Sequence, residues 1–211
     1  MSNCSTLKIS KGALLKNLSI LRKYSSGAVI CPIVKANAYG HGIKQILEIL
    51  ISQNIPWLGV HSVDEGVLLR RLGFMGSILN MGYVQKNSCQ CAVEHLLSLS
   101  VCNMETLEFL SAQEKPVHVH LKFETGTNRQ GILQEEIKKY ADFIKAHSNI
   151  HLQGVYTHFA NIEDTTNPSF AISQLQKFIS MTDEIKSWGL NPPLMHTACS
   201  AALLLFPQTR F

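Results

Sequence analysis

The stretch PIVKANAYGHG, residues 32–42, ends a short apolar run on Lys35 and follows it at once with Ala, Asn, Tyr, Gly, His and Gly. A strand buried on both faces rarely ends on an unpartnered ammonium group, because an unpaired buried charge is costly. Lys35 is therefore either a strand-end lysine whose stem lies along apolar surface while its amine reaches solvent, or an amine kept for chemistry. Tyr39, Gly40 and Gly42 fall in a loop before a helical pattern whose N-terminus favours an anion. An amine beside an anion site suits a phosphorylated aldehyde. Two more polar side chains close apolar runs, Lys122 and His158. By period-two counting, Lys35 is in phase with Cys31 and Ile33, Lys122 with His118 and His120, and His158 with Gly154 and Tyr156.

These residues need elements to carry them. Leu14, Leu18 and Leu21 predict an amphipathic helix over 11–24, and AVICPIVK a first strand. GIKQILEILI reads as a helix and WLGVH as a strand. Ser62 and Glu65 then form a capping box opening the next helix. SILNMG, LSLSVC, PVHVHLKFE, IHLQGVYTHF and LMHTACS read as strands three to seven. Helices intervene at SCQCAVEHL, at METLEFLSA with Asn103 as N-cap, and over 134–146. A long helix with Ile172, Leu175, Ile179 and Trp188 near one stripe stops at Gly189.

Seven strands alternating with helices imply a parallel sheet, doubly wound or closed as a (β/α)8 barrel. The fifth strand decides between them. Val117, Val119, Leu121 and Phe123 share one face, and His118, His120 and Lys122 the other. A doubly wound sheet buries both faces under helices; a barrel lumen near its mouth accommodates such polar groups. The expected fold is an α/β TIM-type barrel with chemistry at the C-terminal ends of its strands.

Of the 211 residues, 45% are hydrophobic and the net charge is +4 with the basic residues scattered. That profile fits one globular domain and argues against a nucleic-acid stripe or a membrane-binding patch. No signal-peptide pattern or membrane-length apolar run is present, so a cytoplasmic protein is expected. The six cysteines, Cys4, Cys31, Cys89, Cys91, Cys102 and Cys199, are too sparse for a disulfide framework. Cys89 and Cys91 are also too close for the usual zinc spacing, so no metal is expected.

PIVKANAYGHG resembles the pyridoxal-phosphate lysine signature of the bacterial alanine racemase family. HLKFETGTNRQGI (120–132), VYTHFANIED (155–164) and HTACSAA (196–202) resemble that family's next segments in order and spacing. By this resemblance Lys35 is the Schiff-base lysine and the base on one face of the substrate. Tyr39 and Ser200 are then donors to the cofactor phosphate, and His158 the histidine beside the pyridine ring. Lys122 matches a lysine that is carbamylated, and Arg129 the arginine that this carbamate orients toward the cofactor's phenolic oxygen. Glu124 and Thr127 stand where the family usually has Asp and Met, and Cys199 where many members have Asn.

The resemblance implies pyridoxal 5'-phosphate as cofactor and an isomerase interconverting L- and D-alanine for peptidoglycan precursors. It also implies a homodimer. The family pattern continues into an eighth strand and a β-rich C-terminal domain, which carries the opposite-face tyrosine across the dimer interface. Residues 1–211 accordingly read as the N-terminal barrel domain alone, with about seven of eight strands, and an isolated chain of little or no activity. Three alternatives stand beside this reading. They are a racemase for serine or another small amino acid, a non-enzymatic pyridoxal-phosphate binding or homeostasis protein, and a decayed remnant.

Overall fold

The computed structural model describes residues 6–211. Within them six parallel strands form one sheet: β1 (Trp57–Val60), β2 (Ser77–Asn80), β3 (Leu97–Val101), β4 (Val117–Lys122), β5 (Ile150–Tyr156) and β6 (Leu194–His196). Each strand pairs in parallel with the one before it in the chain. A doubly wound sheet reverses its strand order at a switch point, and this one does not.

The sheet curls strongly. Trp57 on β1 and His120 on β4 are three strands apart, which in a flat sheet is about 14 Å. Their ring centroids are 5.6 Å apart. Ser100 on β3 and Tyr156 on β5 meet at 2.6 Å between hydroxyl oxygens, so side chains from alternate strands fill the concave face in layers. This is an incomplete barrel, as the alternation along β4 predicts. Gly154 marks how tightly it is filled, since a Cβ there would stand 2.5 Å from the His120 ring.

The predicted first strand shrinks to one bridge, Ile33 against Gly59, held by Gly59 N–H to Pro32 O at 2.9 Å and Val34 N–H to Gly59 O at 2.8 Å. Pro32 has no N–H to extend the ladder, and the chain turns away immediately after Val34.

Around the sheet lie α1 (Lys11–Tyr24), α2 (Lys35–Tyr39), α3 (Ile43–Ser52), α4 (Val63–Arg71), α5 (Cys89–Glu94), α6 (Met104–Ser111), α7 (Ile137–Ala146), α8 (Ser169–Ser187) and α9 (Ser200–Leu205). The predicted caps are formed. Ser62 and Glu65 make both halves of the capping box on α4, and Asn103 Oδ1 accepts from Thr106 N at 2.9 Å on α6. The helix expected over 134–146 is a 3-10 turn at Gln134–Glu136 followed by α7.

The stripe expected along α8 needs correction. Ile172 and Ile179 are exposed, and the buried row is Ala171, Gln174, Leu175, Phe178, Met181, Thr182 and Ile185. Polar Gln174 and Thr182 occupy core positions that hydrophobicity counting assigns to isoleucine.

Cys31, Cys89, Cys91, Cys102 and Cys199 are free thiols; Cys4 lies outside the described residues. Among the described residues no helix is long and apolar enough to cross a membrane.

Candidate active site

Lys35 opens α2, whose single turn is left-handed. Ala36, Asn37, Ala38 and Tyr39 have φ of +52°, +56°, +55° and +53°. The left-handed region costs an L-residue about 1–2 kcal/mol, with asparagine the most tolerant of the four. Something outside the turn must hold it. Glu65 Oε1 accepts from Ala36 N–H at 2.6 Å, and Asn37 Oδ1 accepts from Ile43 N–H at 2.8 Å, capping α3. Within the turn, Ala38 N–H donates to Val34 O at 2.9 Å and Gly40 N–H to Ala36 O at 3.0 Å. Gly40 ends it at φ +82°, a conformation that suits a residue without Cβ. The half-buried Lys35 then carries its Nζ to 5.8 Å from the centroid of the Tyr39 ring, which is 59% exposed.

Lys122 ends β4 and is 4% exposed, with its Nζ 5.8 Å from the Tyr156 ring centroid. Burial lowers its pKa, the Arg129 guanidinium lowers it further, and Lys35 adds to this; Cys102 and Glu124 pull the other way. Desolvation likewise lowers the pKa of His158, followed by Arg129 and Lys122, with Glu163 opposing and Lys35 adding a little. Lys35 at the start of α2, Lys122 at the end of β4, Arg129 in the loop that follows and His158 just past β5 therefore share one electrostatic neighbourhood.

The loop after β4 explains how Arg129 reaches it. Burial would raise the Glu124 pKa, but N–H groups of Asn128, Gly126, Arg129 and Thr127 outweigh it and hold the carboxyl below its usual range. The Gly126 N–H lies 2.5 Å from Glu124 Oε1. Main-chain bonds from Glu124 N to Ile132 O (2.9 Å) and from Ile132 N to Lys122 O (2.8 Å) close the loop. Thr127 Oγ1 donates to the carbonyl of His158, tying the loop to the end of β5. Glu124 and Thr127, the two departures from the family pattern, thus both help to build the Arg129 loop.

Among the described residues Lys35, Lys122 and Arg129 form no ion pair, although the Glu124 carboxylate raises the Lys122 pKa. Among the described residues the ion pairs are those of Lys138 and Lys145 with Asp142 and of Lys186 with Asp183, all at the surface. Lys35, Lys122 and Arg129 leave a concentration of positive charge at the C-terminal end of the sheet, which fits an anionic ligand carrying more than one charge.

Ser200 starts α9 beyond the same end of β6, is exposed, and makes no hydrogen bond to the other five candidates among the described residues. Its neighbour Cys199 donates to Glu163 Oε1 at 3.7 Å, the carboxylate that acts on His158.

Two features escape sequence reasoning. Glu65 reads locally as a cap, yet it also reaches the turn after Lys35. His196 also pairs with His120, Nε2 to Nδ1 at 2.9 Å, beneath the mouth. The tracts that hold these partners were visible; their meeting depends on the curl.

Residues 9–211 match the family model for the alanine racemase N-terminal domain. The chain is 36% identical over 210 residues to the alanine racemase of Geobacillus kaustophilus, covering 97% of this chain and 54% of that protein. It is 30% identical to that of Symbiobacterium thermophilum over 97% of this chain and 55% of the relative. Among solved structures, alanine racemase of Clostridium difficile in complex with cycloserine superposes with TM-score 0.89 at 26% identity, covering 93% of this chain and 56% of that one. That of Bacillus anthracis with bound L-Ala-P gives 0.86 at 29% identity, covering 93% and 52%. The chain thus spans about half the length of the relatives it matches. With its curled sheet, its lysine turn and nearly its whole length matched, the chain belongs to the alanine racemase family and corresponds to that family's N-terminal domain.

Proposed function

We propose that this chain is the cofactor-binding part of a cytoplasmic, pyridoxal-phosphate-dependent racemase that interconverts L- and D-alanine for peptidoglycan synthesis. The observation that carries this reading is the gathering of Lys35, Lys122 and Arg129 at one mouth with no carboxylate paired to them among the described residues. A phosphate and a phenolate on one small molecule match that surplus of charge. When bound, the cofactor accepts the electron pair left on the α-carbon of the amino acid as its proton departs.

Lys35 would hold the cofactor through its amine, and its Nζ, when free, would hold the α-proton on one face of the amino acid. Tyr39 and Ser200 would donate their hydroxyls to the phosphate, and Arg129 would donate to the phenolic oxygen. His158, whose pKa is lowered by desolvation and by the neighbouring Arg129 and Lys122, would lie beside the pyridine ring. The lowered pKa of Lys122 favours the neutral amine, which adds to carbon dioxide to give a carbamate and release a proton. That carbamate gives Arg129 a planar, bidentate partner and turns one of the crowded cations into an anion. The opposite face needs its own proton carrier, which we assign to the C-terminal domain of a partner subunit in a homodimer.

The test is to add pyridoxal phosphate to the purified chain, reduce with borohydride and locate the modified lysine by peptide mass. Modification of Lys35 alone is the expected result. Modification scattered over surface lysines, or none, would overturn the reading.

A further inference from the structure

The carboxylate of Glu65 does two jobs with its two oxygens. Oε2 serves its own helix, accepting from His61 N–H at 2.8 Å and Ser62 N–H at 3.3 Å. Oε1 reaches 29 residues back along the chain to Ala36 N–H at 2.6 Å. That amide follows Lys35 directly. The peptide group is planar, so an N–H fixed at residue 36 also fixes the plane containing the Lys35 Cα and carbonyl group, and with it the point from which the Lys35 side chain leaves the backbone.

Packing holds the inner side of the turn, where Val34 and Ala38 are buried in the core, but Ala36 and Asn37 are exposed. Behind the turn lies a cleft of about 220 Å³ lined by Val34, Asn37, Ile43, Val60, Glu65 and Leu68. The exposed, non-glycine part of this left-handed turn is held by polar bonds, and the bond from Ala36 to Glu65 is charge-assisted. We propose that Glu65 is a positioning residue for Lys35, its Oε1 clamping the peptide between residues 35 and 36 so that the amine points into the cation cluster. This inference rests on the function proposed for Lys35.

The test compares Glu65→Ala, Glu65→Gln and Ser62→Ala in the full chain. Ser62→Ala weakens the same helix cap without touching Ala36, so it controls for general loss of stability. Two quantities are read: amide hydrogen exchange at Ala36, and the ratio of Lys35 to surface-lysine modification by pyridoxal phosphate and borohydride. Glu65→Ala is expected to expose the Ala36 amide and lower the ratio by about tenfold or more. Glu65→Gln, which keeps an acceptor oxygen, should recover part of both, and Ser62→Ala should change neither.

Equal losses in Ser62→Ala and Glu65→Ala, or no change in Glu65→Ala, would overturn the proposal. Should Glu65→Ala fail to fold, Glu65→Asp takes its place, keeping a carboxylate at the start of α4 but one methylene too short to reach Ala36; Ala36 exchange and Lys35 ratio both at parental values in that chain would overturn the proposal equally. An unmodified Lys35 in the parent chain would instead remove the proposed function, and exchange at Ala36 would then decide the clamp by itself.

Discussion

His120 Nδ1 and His196 Nε2 face each other at 2.9 Å on the concave side of the sheet, two strands apart. Gln153 Oε1 accepts from Ser98 Oγ at 2.6 Å and lies 3.2 Å from His120 Nε2. An amide oxygen only accepts, so His120 Nε2 carries the hydrogen, its Nδ1 is the acceptor, and His196 Nε2 donates. The chain is satisfied only while His120 is neutral, since its Nδ1 must accept, and burial keeps a second charge off His196.

Acid should therefore loosen the barrel well above the carboxylate range. Burial pushes His120 down to about 4 and His196 down to about 3, both below the ordinary value of 6.5. As pH falls below that ordinary value the unfolded chain takes up protons first, so stability drops and levels off only as the folded values are reached. For His120 alone the loss between pH 7 and pH 5 is on the order of 2 kcal/mol. Urea denaturation at the two pH values measures it, and His120→Asn should reduce the difference.

Gly154→Ala should cost about 1–3 kcal/mol, because the new methyl group meets a packed ring. The cost should shrink in a His120→Ala background, since the two positions share one contact. A double-mutant cycle by urea denaturation checks the coupling; additive effects would show that the ring moves aside freely.

Lys122→Met should leave the cofactor-free chain as stable as the parent, or more stable by on the order of 1 kcal/mol, in bicarbonate-free buffer, where it removes a buried cation. The same substitution should weaken uptake of pyridoxal phosphate, read by equilibrium dialysis. A clear loss of stability in that buffer would mean that the amine is already compensated.

Arg129→Gln should raise the Lys122 pKa, because the guanidinium is the largest neighbouring charge lowering it. More of the amine is then charged at a given pH and less is free to add carbon dioxide. With 13C-bicarbonate, the carbamate signal in the parent should weaken in Arg129→Gln, and an unchanged signal would count against the pairing of these two residues.

Much of the barrel could be read from β4 alone. The alternation of apolar and polar residues from Val117 to Lys122 exposes a face that only a closed lumen tolerates, and the caps at Ser62 and Asn103 are local signals that tertiary structure leaves alone. The left-handed turn was illegible for the opposite reason. Ala, Ala and Tyr have no left-handed preference, and Glu65, which holds the Ala36 amide, is distant in the chain. Gln174 misled the reading of α8 in the same way. Its amide accepts from Ala160 N at 3.0 Å and donates toward Thr125 Oγ1 and the His158 carbonyl, each at 3.3 Å, so it is buried by what it holds and not by its hydropathy. Ser200 was located by resemblance alone, and local patterning offered no independent sign of it.

The strand order has a consequence for how the chain is made. β1 to β4 begin at Trp57, Ser77, Leu97 and Val117, one every twenty residues, and each lies against its predecessor. Parallel pairing is ordinarily slow because its partners are far apart in the chain. Here a strand emerging during synthesis finds the neighbour it must join already formed, and the sheet can grow from one edge at the pace of translation. Only contacts across the lumen, such as Trp57 with His120, must wait until enough strands have accumulated to bend.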